Sequence, residues 1–220
     1  MTRQEFHHLI RLFPLLLALF VIGSRASAEI LLPSPPSAGS KPQDFVPVGL
    51  EILMEAAGDL NQDGKPDAAL VLRNPAENTI PVTEEWPRLL VLLLQKPEGG
   101  YRLAAKSRQA ILCRTCGGVF GDPLAEIQIK NGVLVIDHYG GSRDRWGYTH
   151  RWRHQDGDWV LIGETKSSSD TFGPEAKTDD VNLLTGDRIV SVTDSKGKVQ
   201  TTKSKLPKQS LKKLSAFQFQ

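Results

Sequence analysis

The chain is predicted to fold as a single, mainly β domain of antiparallel, meander-like sheets, with room for the minor helix of an α+β arrangement. Three observations carry this. Short runs of strand-forming residues recur between turn signals. Two pairs of these runs are joined by very short, turn-forming links, Asn131-Gly132 and Gln155-Asp156-Gly157-Asp158. Parallel strands need long crossovers, so such close spacing implies antiparallel pairing.

Residues 1–28 read as a cleavable export signal. Arg3 and Arg11 give a positive start, Leu12 to Ile22 is uncharged and apolar apart from Pro14, and Ala26-Ser27-Ala28 supplies small residues for cleavage before Glu29. A spanning helix needs about 20 apolar residues, and this run is shorter and ends in Gly23-Ser24-Arg25. No cysteine stands near the cleavage site, which argues against a lipid anchor, and no later apolar run is long enough to span a bilayer. The expected location is therefore periplasmic or secreted, with no transmembrane segment after cleavage.

Residues 29–47 hold Pro33, Pro35, Pro36, Pro42 and Pro47 among serines and glycines, which reads as a linker. The β-rich domain is expected over 48–194. Its strand candidates are Leu50–Glu55, Ala68–Leu72, Leu89–Leu94, Tyr101–Ser107, Ala125–Lys130, Val133–His138, Trp146–His154, Trp159–Glu164 and Arg188–Val192. Asn131-Gly132 favours a type I′ turn. No stretch repeats clearly enough for a multi-blade propeller. Residues 165–182 are polar, contain Ser167-Ser168-Ser169, and read as a loop. Residues 195–220 form a basic tail, expected as loose chain or a short helix from about Leu206. Seven lysines and no acid follow Ser195, so the tail can touch anionic surfaces. With no aromatic among those lysines before Phe217, base stacking has little to work with, and no specific nucleic-acid partner is expected.

The most informative stretch is Asp59-Leu-Asn61-Gln-Asp63-Gly64-Lys65-Pro66-Asp67. Oxygen ligands recur at loop positions one, three, five and nine, a glycine sits at the sharp turn, and the Lys65 carbonyl can complete a ring. Ca²⁺ takes six to eight oxygens in flexible geometry, and this spacing curls them around one point. An EF-hand would place a glutamate at position twelve, where this chain has Leu70, so a helix–loop–helix hand is rejected. The alternative is a polar turn without metal. The loop resembles the Asp-x-Asp/Asn-x-Asp-Gly-x-x-Asp calcium loops of FG-GAP or integrin-propeller-type repeats, set between two strands. That resemblance covers about 25 residues and implies structural Ca²⁺ on the side chains of Asp59, Asn61, Asp63 and Asp67.

Cys113 and Cys116 are the only cysteines. In an oxidising compartment a close pair usually forms a disulfide. Free or redox-active thiols and a metal site are the alternatives. The following Gly117-Gly118-Val119-Phe120-Gly121-Asp122-Pro123 is poor helix material, against a thioredoxin-like role. Zinc would need two more ligands, and the spacing of His138, His150 and His154 is not a zinc signature.

A wider resemblance runs through the Asp-x-Asn-x-Asp-Gly loop, Cys-x-x-Cys-Gly-Gly-Val-Phe-Gly-Asp-Pro, His138-Tyr-Gly-Gly-Ser142, Arg145-Trp146, Gly157-Asp158-Trp159 to Gly163, and Asn182-Leu-Leu-Thr-Gly186. Over about residues 50–190 the chain is similar to a group of uncharacterised exported bacterial proteins. The resemblance implies an envelope location and a largely β domain.

Catalytic residue types also occur together. Asp137, His138, His150 and His154 fall in neighbouring strand candidates, with Ser142 nearby. There is no Gly-x-Ser-x-Gly elbow and no glycine-rich phosphate loop. Period two puts Trp146, Tyr148, His150, Trp152 and His154 on one face, and Arg151 and Arg153 on the other. That arrangement reads as one packed and one solvated face, or as an aromatic platform for a carbohydrate or peptide. The leading expectation is a non-enzymatic exported binding or accessory protein, with an unidentified envelope protein or glycan as partner. The alternative is an envelope hydrolase using the Asp137, His138, His150 and His154 region. A hydrolase should set a histidine in a cleft beside a carboxylate or hydroxyl, whereas a binding module should show an open aromatic or basic face.

Overall fold

The computed structural model describes residues 32–79, 81 and 86–219. The export signal expected over 1–28 lies outside the described residues. The fold is mainly β and forms one domain. All nine expected strands are present, with bounds shifted by a few residues. The strands are β1 (Ala38–Gly39), β2 (Glu51–Gly58), β3 (Asp67–Arg73), β4 (Leu89–Gln95), β5 (Tyr101–Ser107), β6 (Leu124–Lys130), β7 (Val133–Gly141), β8 (Asp144–Gln155), β9 (Asp158–Asp170), β10 (Ala176–Asn182), β11 (Asp187–Thr193) and β12 (Val199–Lys205). The minor helix amounts to short 3₁₀ turns, among them Pro42–Phe45 and Leu214–Ala216.

The strands form two antiparallel sheets, ordered β1-β5-β4-β3-β2 and β12-β11-β10-β9-β8-β7-β6. Asn131 and Gly132 both have positive φ, 51° and 74°, as a type I′ turn requires. Asp156 and Gly157 repeat that conformation between β8 and β9.

In β3 and β4 the apolar residues do not alternate with polar ones, because both faces are covered. One face, with Ala69, Val71, Leu90, Leu92 and Leu94, packs against Leu134, Ile136, Trp152 and Leu161 of the second sheet. The other, with Ala68, Leu70, Leu72, Leu89, Val91 and Leu93, packs against Leu32 and Phe45.

This last contact corrects the reading of 29–47 as a linker. The described part of that segment is a docked arm. The fully buried Phe45 plugs the second core, and β1 pairs with β5. Proline suits such an arm, because it fixes φ and gives up a donor where no ladder is needed.

Two further expectations are corrected. Residues 165–182 are not a loop: β9 continues to Asp170 and β10 follows from Ala176. The serines pair with β8 on one side and β10 on the other. The 195–220 tail is largely built into the fold. It supplies β12, and it then returns along β9, where Leu161 N donates to Lys212 O (2.9 Å). Leu214 and Phe217 are buried in the main core.

Candidate functional site

Three places gather the residues singled out by the sequence. The first is the 59–67 loop. It follows β2 and leads into β3, so the expected strand–loop–strand setting is present. Asp59 accepts from Asp63 N (3.0 Å) and Gly64 N (2.7 Å), and Asn61 Oδ1 accepts from Asp63 N (3.0 Å). Asp63 accepts from Lys65 N (2.9 Å) and Asn61 Nδ2 (3.1 Å). The Lys65 amide, followed by the Asn61 amide group, holds the Asp63 carboxyl below its usual range.

Asp67 behaves differently. It is buried, and its oxygens take the amides of Leu60, Asn61 and Gln95. Burial pushes its carboxyl up, against the pull of those three amides. Asp67 therefore straps the loop to β4, while Asp59, Asn61 and Asp63 face one another across the exposed turn. Among the described residues no three His, Cys, Asp or Glu side chains converge as ligands for a metal ion. Gln62 reaches across to the second sheet, with Nε2 donating to Asn131 O (3.1 Å).

The second place is the histidine face. His138 and His150 lie on the inner face of β7 and β8, buried beneath the chain's C-terminal residues. The Phe219 ring stands 5.1 Å from each of them, and Phe217 stands 5.1 Å from His150. His138 Nε2 accepts from Leu112 N (3.3 Å), and the Nδ1 atoms of both histidines are buried without a hydrogen-bond partner among the described residues. Burial lowers the His138 pKa to about 3, helped by the nearby His150 and Arg88 charges and opposed by Asp122. Burial likewise lowers His150 to about 4, with Lys166, Lys212 and Arg151 adding to it.

The other candidates for catalysis do not join this pair. Asp137 points to the opposite face of β7 and accepts from Thr149 Oγ1. His154 is exposed near the β8–β9 turn, with its ring 5.2 Å from that of Trp159. Ser142 is exposed in the turn between β7 and β8. The acid, histidines and hydroxyl are not assembled, and the buried histidines face aromatic rings. The aromatic face is therefore packed rather than open.

The third place is the cysteine loop. Cys113 and Cys116 are joined in a disulfide, with Cα atoms 5.1 Å apart. The loop that follows lies across the end of β7. Val119 N donates to Gly141 O (3.2 Å), and Tyr139 N donates to Pro123 O (2.8 Å). The approach is close enough to need glycine on both sides. A Cβ on Gly118 would stand 2.9 Å from Gly141 O, and one on Gly140 would stand 2.8 Å from Gly117 O.

Below the loop lies an ion cluster that no sequence pattern marks. Arg88 is fully buried and grips Asp122 through both terminal nitrogens (2.7 and 2.6 Å). It also donates to both oxygens of the buried Glu77 (3.2 and 2.8 Å). The partners lie 11 and 34 residues from Arg88, so no local pattern marks them. The loop is thus fixed by a disulfide, a two-pronged ion pair and close backbone packing.

What it presents is apolar and cationic. Val119 is 82% exposed, Phe120 48% and Tyr139 46%. The Phe120 and Tyr139 rings meet edge to face at 6.0 Å, and the Arg145 guanidinium lies 3.4 Å from the Phe120 ring centre. Arg145 is half-buried, and its Nη1 is covered with no hydrogen-bond partner among the described residues. No protein-family model, no curated protein and no solved structure matches this chain.

Proposed function

We propose that the chain is a non-enzymatic exported binding or accessory protein, and that its contact surface is the rim of Val119, Phe120, Tyr139 and Arg145. One observation carries this reading: exposed aromatic and apolar side chains sit on a loop held rigid from below. Aromatic residues and arginine supply most of the binding energy at protein contacts. A surface fixed in advance loses less entropy on binding. The partner is a protein or glycan of the envelope, because the sequence of residues 1–28 directs export.

The test is affinity capture from envelope extracts with wild type, Phe120→Ala and Val48→Ala. Val48 is 98% exposed and precedes β2, outside the segments that carry the rim. A component retained by wild type and Val48→Ala and lost with Phe120→Ala, at equal melting temperatures, is the expected result. Equal retention by all three would remove the rim from the account.

Calcium belongs to the same proposal as a structural ion. Asp59, Asn61, Asp63 and the Lys65 carbonyl would hold it at the exposed turn, with Asp67 as a strut that contributes if it gives up an amide. Bound there, Ca²⁺ would replace repulsion between the carboxylates by attraction. At about 100 times its Kd a ligand adds about 2.7 kcal/mol to stability. Melting in chelator and in calcium should then differ by several degrees, and Asp63→Ala should remove the difference. Coincident wild-type curves would exclude a stabilising ion.

A further inference from the structure

Among the described residues, the last strand of the second sheet has no neighbour on its outer side. Every residue of β12, Val199–Lys205, is exposed, and β12 ends the strand order. The ladder to β11 closes with Asp194 N donating to Lys198 O (3.0 Å) at one end and Leu206 N donating to Gly186 O (2.8 Å) at the other. Antiparallel bonding alternates along a strand, and the register is unbroken between those ends. The even-numbered residues 198 to 206 therefore bond inward. The amides and carbonyls of Val199, Thr201, Lys203 and Lys205 point away from the sheet with no strand to meet them.

The charge on this edge has one sign. Lys196, Lys198, Lys203, Lys205 and Lys208 lie on or beside β12, and no acid follows Ser195. Lys205 pairs with Asp187 (3.3 Å), whereas Lys196, Lys198 and Lys203 make no ion pair among the described residues. A second copy laid on this edge would set lysine against lysine, and like charges across a strand pair destabilise it. A planar anionic surface would meet only one face of the ribbon, but Lys198 and Lys203 project from opposite faces, because one is even-numbered and the other odd. A strand lying in the plane of the sheet reaches both. We propose that β12 is a docking edge that takes an acidic, extended protein segment as an added antiparallel strand, distinct from the Phe120 rim.

The probe is the acetylated, amidated peptide Glu-Glu-Val-Thr-Val-Glu-Glu, whose neighbouring glutamates project from both faces of a strand, with the same peptide carrying lysine for glutamate as control, added to the full chain. Hydrogen exchange is read at each amide of β12 by NMR. With the acidic peptide, exchange at Val199, Thr201, Lys203 and Lys205 should slow by about tenfold or more, while Gln200, Thr202 and Ser204 stay unchanged. The lysine peptide should bind at least about tenfold more weakly.

Thr201→Pro removes one outward amide, which an edge strand tolerates, and should abolish protection with only the small fall in melting temperature that loss of the Ser191–Thr201 contact brings. Should proline disturb the strand, Lys203→Glu serves instead: it lies at an exposed position and should weaken the acidic peptide alone. Three results would overturn the proposal. One is no protection, or equal protection by both peptides. Another is concentration-dependent protection without peptide, which would make the partner a second copy. The third is binding to phosphatidylglycerol vesicles that survives Thr201→Pro, which would assign the lysines to a lipid surface.

Discussion

The β3–β4 pair and the β10–β12 ribbon are built from the same antiparallel ladder and stand at opposite extremes of burial. In β4 six consecutive residues are buried, while in β12 none is. The first pair is held by apolar area removed from water on both faces, worth about 25 cal/mol per Å². The ribbon is held by its ladder and by cross-strand pairs such as Arg188 with Asp179 (2.5 Å) and Ser191 with Thr201 (3.0 Å). Surface pairs of this kind contribute about 0–1 kcal/mol each. Strand geometry alone therefore contributes little here, and burial is what anchors it. The deep region fixes the shape of the domain and leaves the ribbon free to present its edge.

The largest effect that bears on this contrast is expected at Phe45. Truncation to alanine should cost about 3–5 kcal/mol, because it empties the plug over the second core. Denaturant unfolding measures it, and a loss below about 1 kcal/mol would mean that the arm rests on the sheet without sealing it.

Acid should act on the main core through its histidines. His138 and His150 stay neutral in the fold down to about pH 3 and 4, while unfolded histidine takes a proton near pH 6.5. Their full contribution is present above pH 6.5 and is lost progressively as pH falls toward those folded values. Each can remove up to about 1.4 kcal/mol per pH unit in that window. Protonating His138 would also break its bond from Leu112 N. His150→Phe should flatten the dependence by about one proton, which a series of unfolding curves from pH 7 to 4 will read. An unchanged slope would show that His150 is not shielded.

At the far end of the scale, Val192→Ala on the ribbon should cost within about 0.5 kcal/mol, as surface changes generally do. A loss several times larger would erase the distinction between the two regions.

How much of this was legible in the sequence follows the same division. Strands with one wet face announce themselves by alternation, as Trp146 to His154 does. Of the ribbon, β11 is legible as Arg188–Val192, whereas β10, β12 and the end of β9 hid because both of their faces are largely wet. Ser167-Ser168-Ser169 and Thr201-Thr202 carry no period, and their order comes from partners far along the chain. The arm hid for the opposite reason. Proline and serine spell a linker locally, yet the unbroken apolar runs of β3 and β4 imply a second covered face, which Leu32 and Phe45 of the arm help to cover. At the sites, the cysteine pair and the strand–loop–strand setting of Asp59–Asp67 could be read from spacing. The burial of His138 and the clamp of Arg88 on Glu77 and Asp122 depend on contacts between distant segments.

The Phe217 and Phe219 rings close the histidine face, so the main core is sealed by a segment that lies outside the strands it covers. His138, Tyr148, His150 and Trp152 are dry only while that segment is docked. Peeling it away would wet them without breaking a single ladder of the sheet beneath, so the seal is a place where the domain can open locally before it unfolds as a whole.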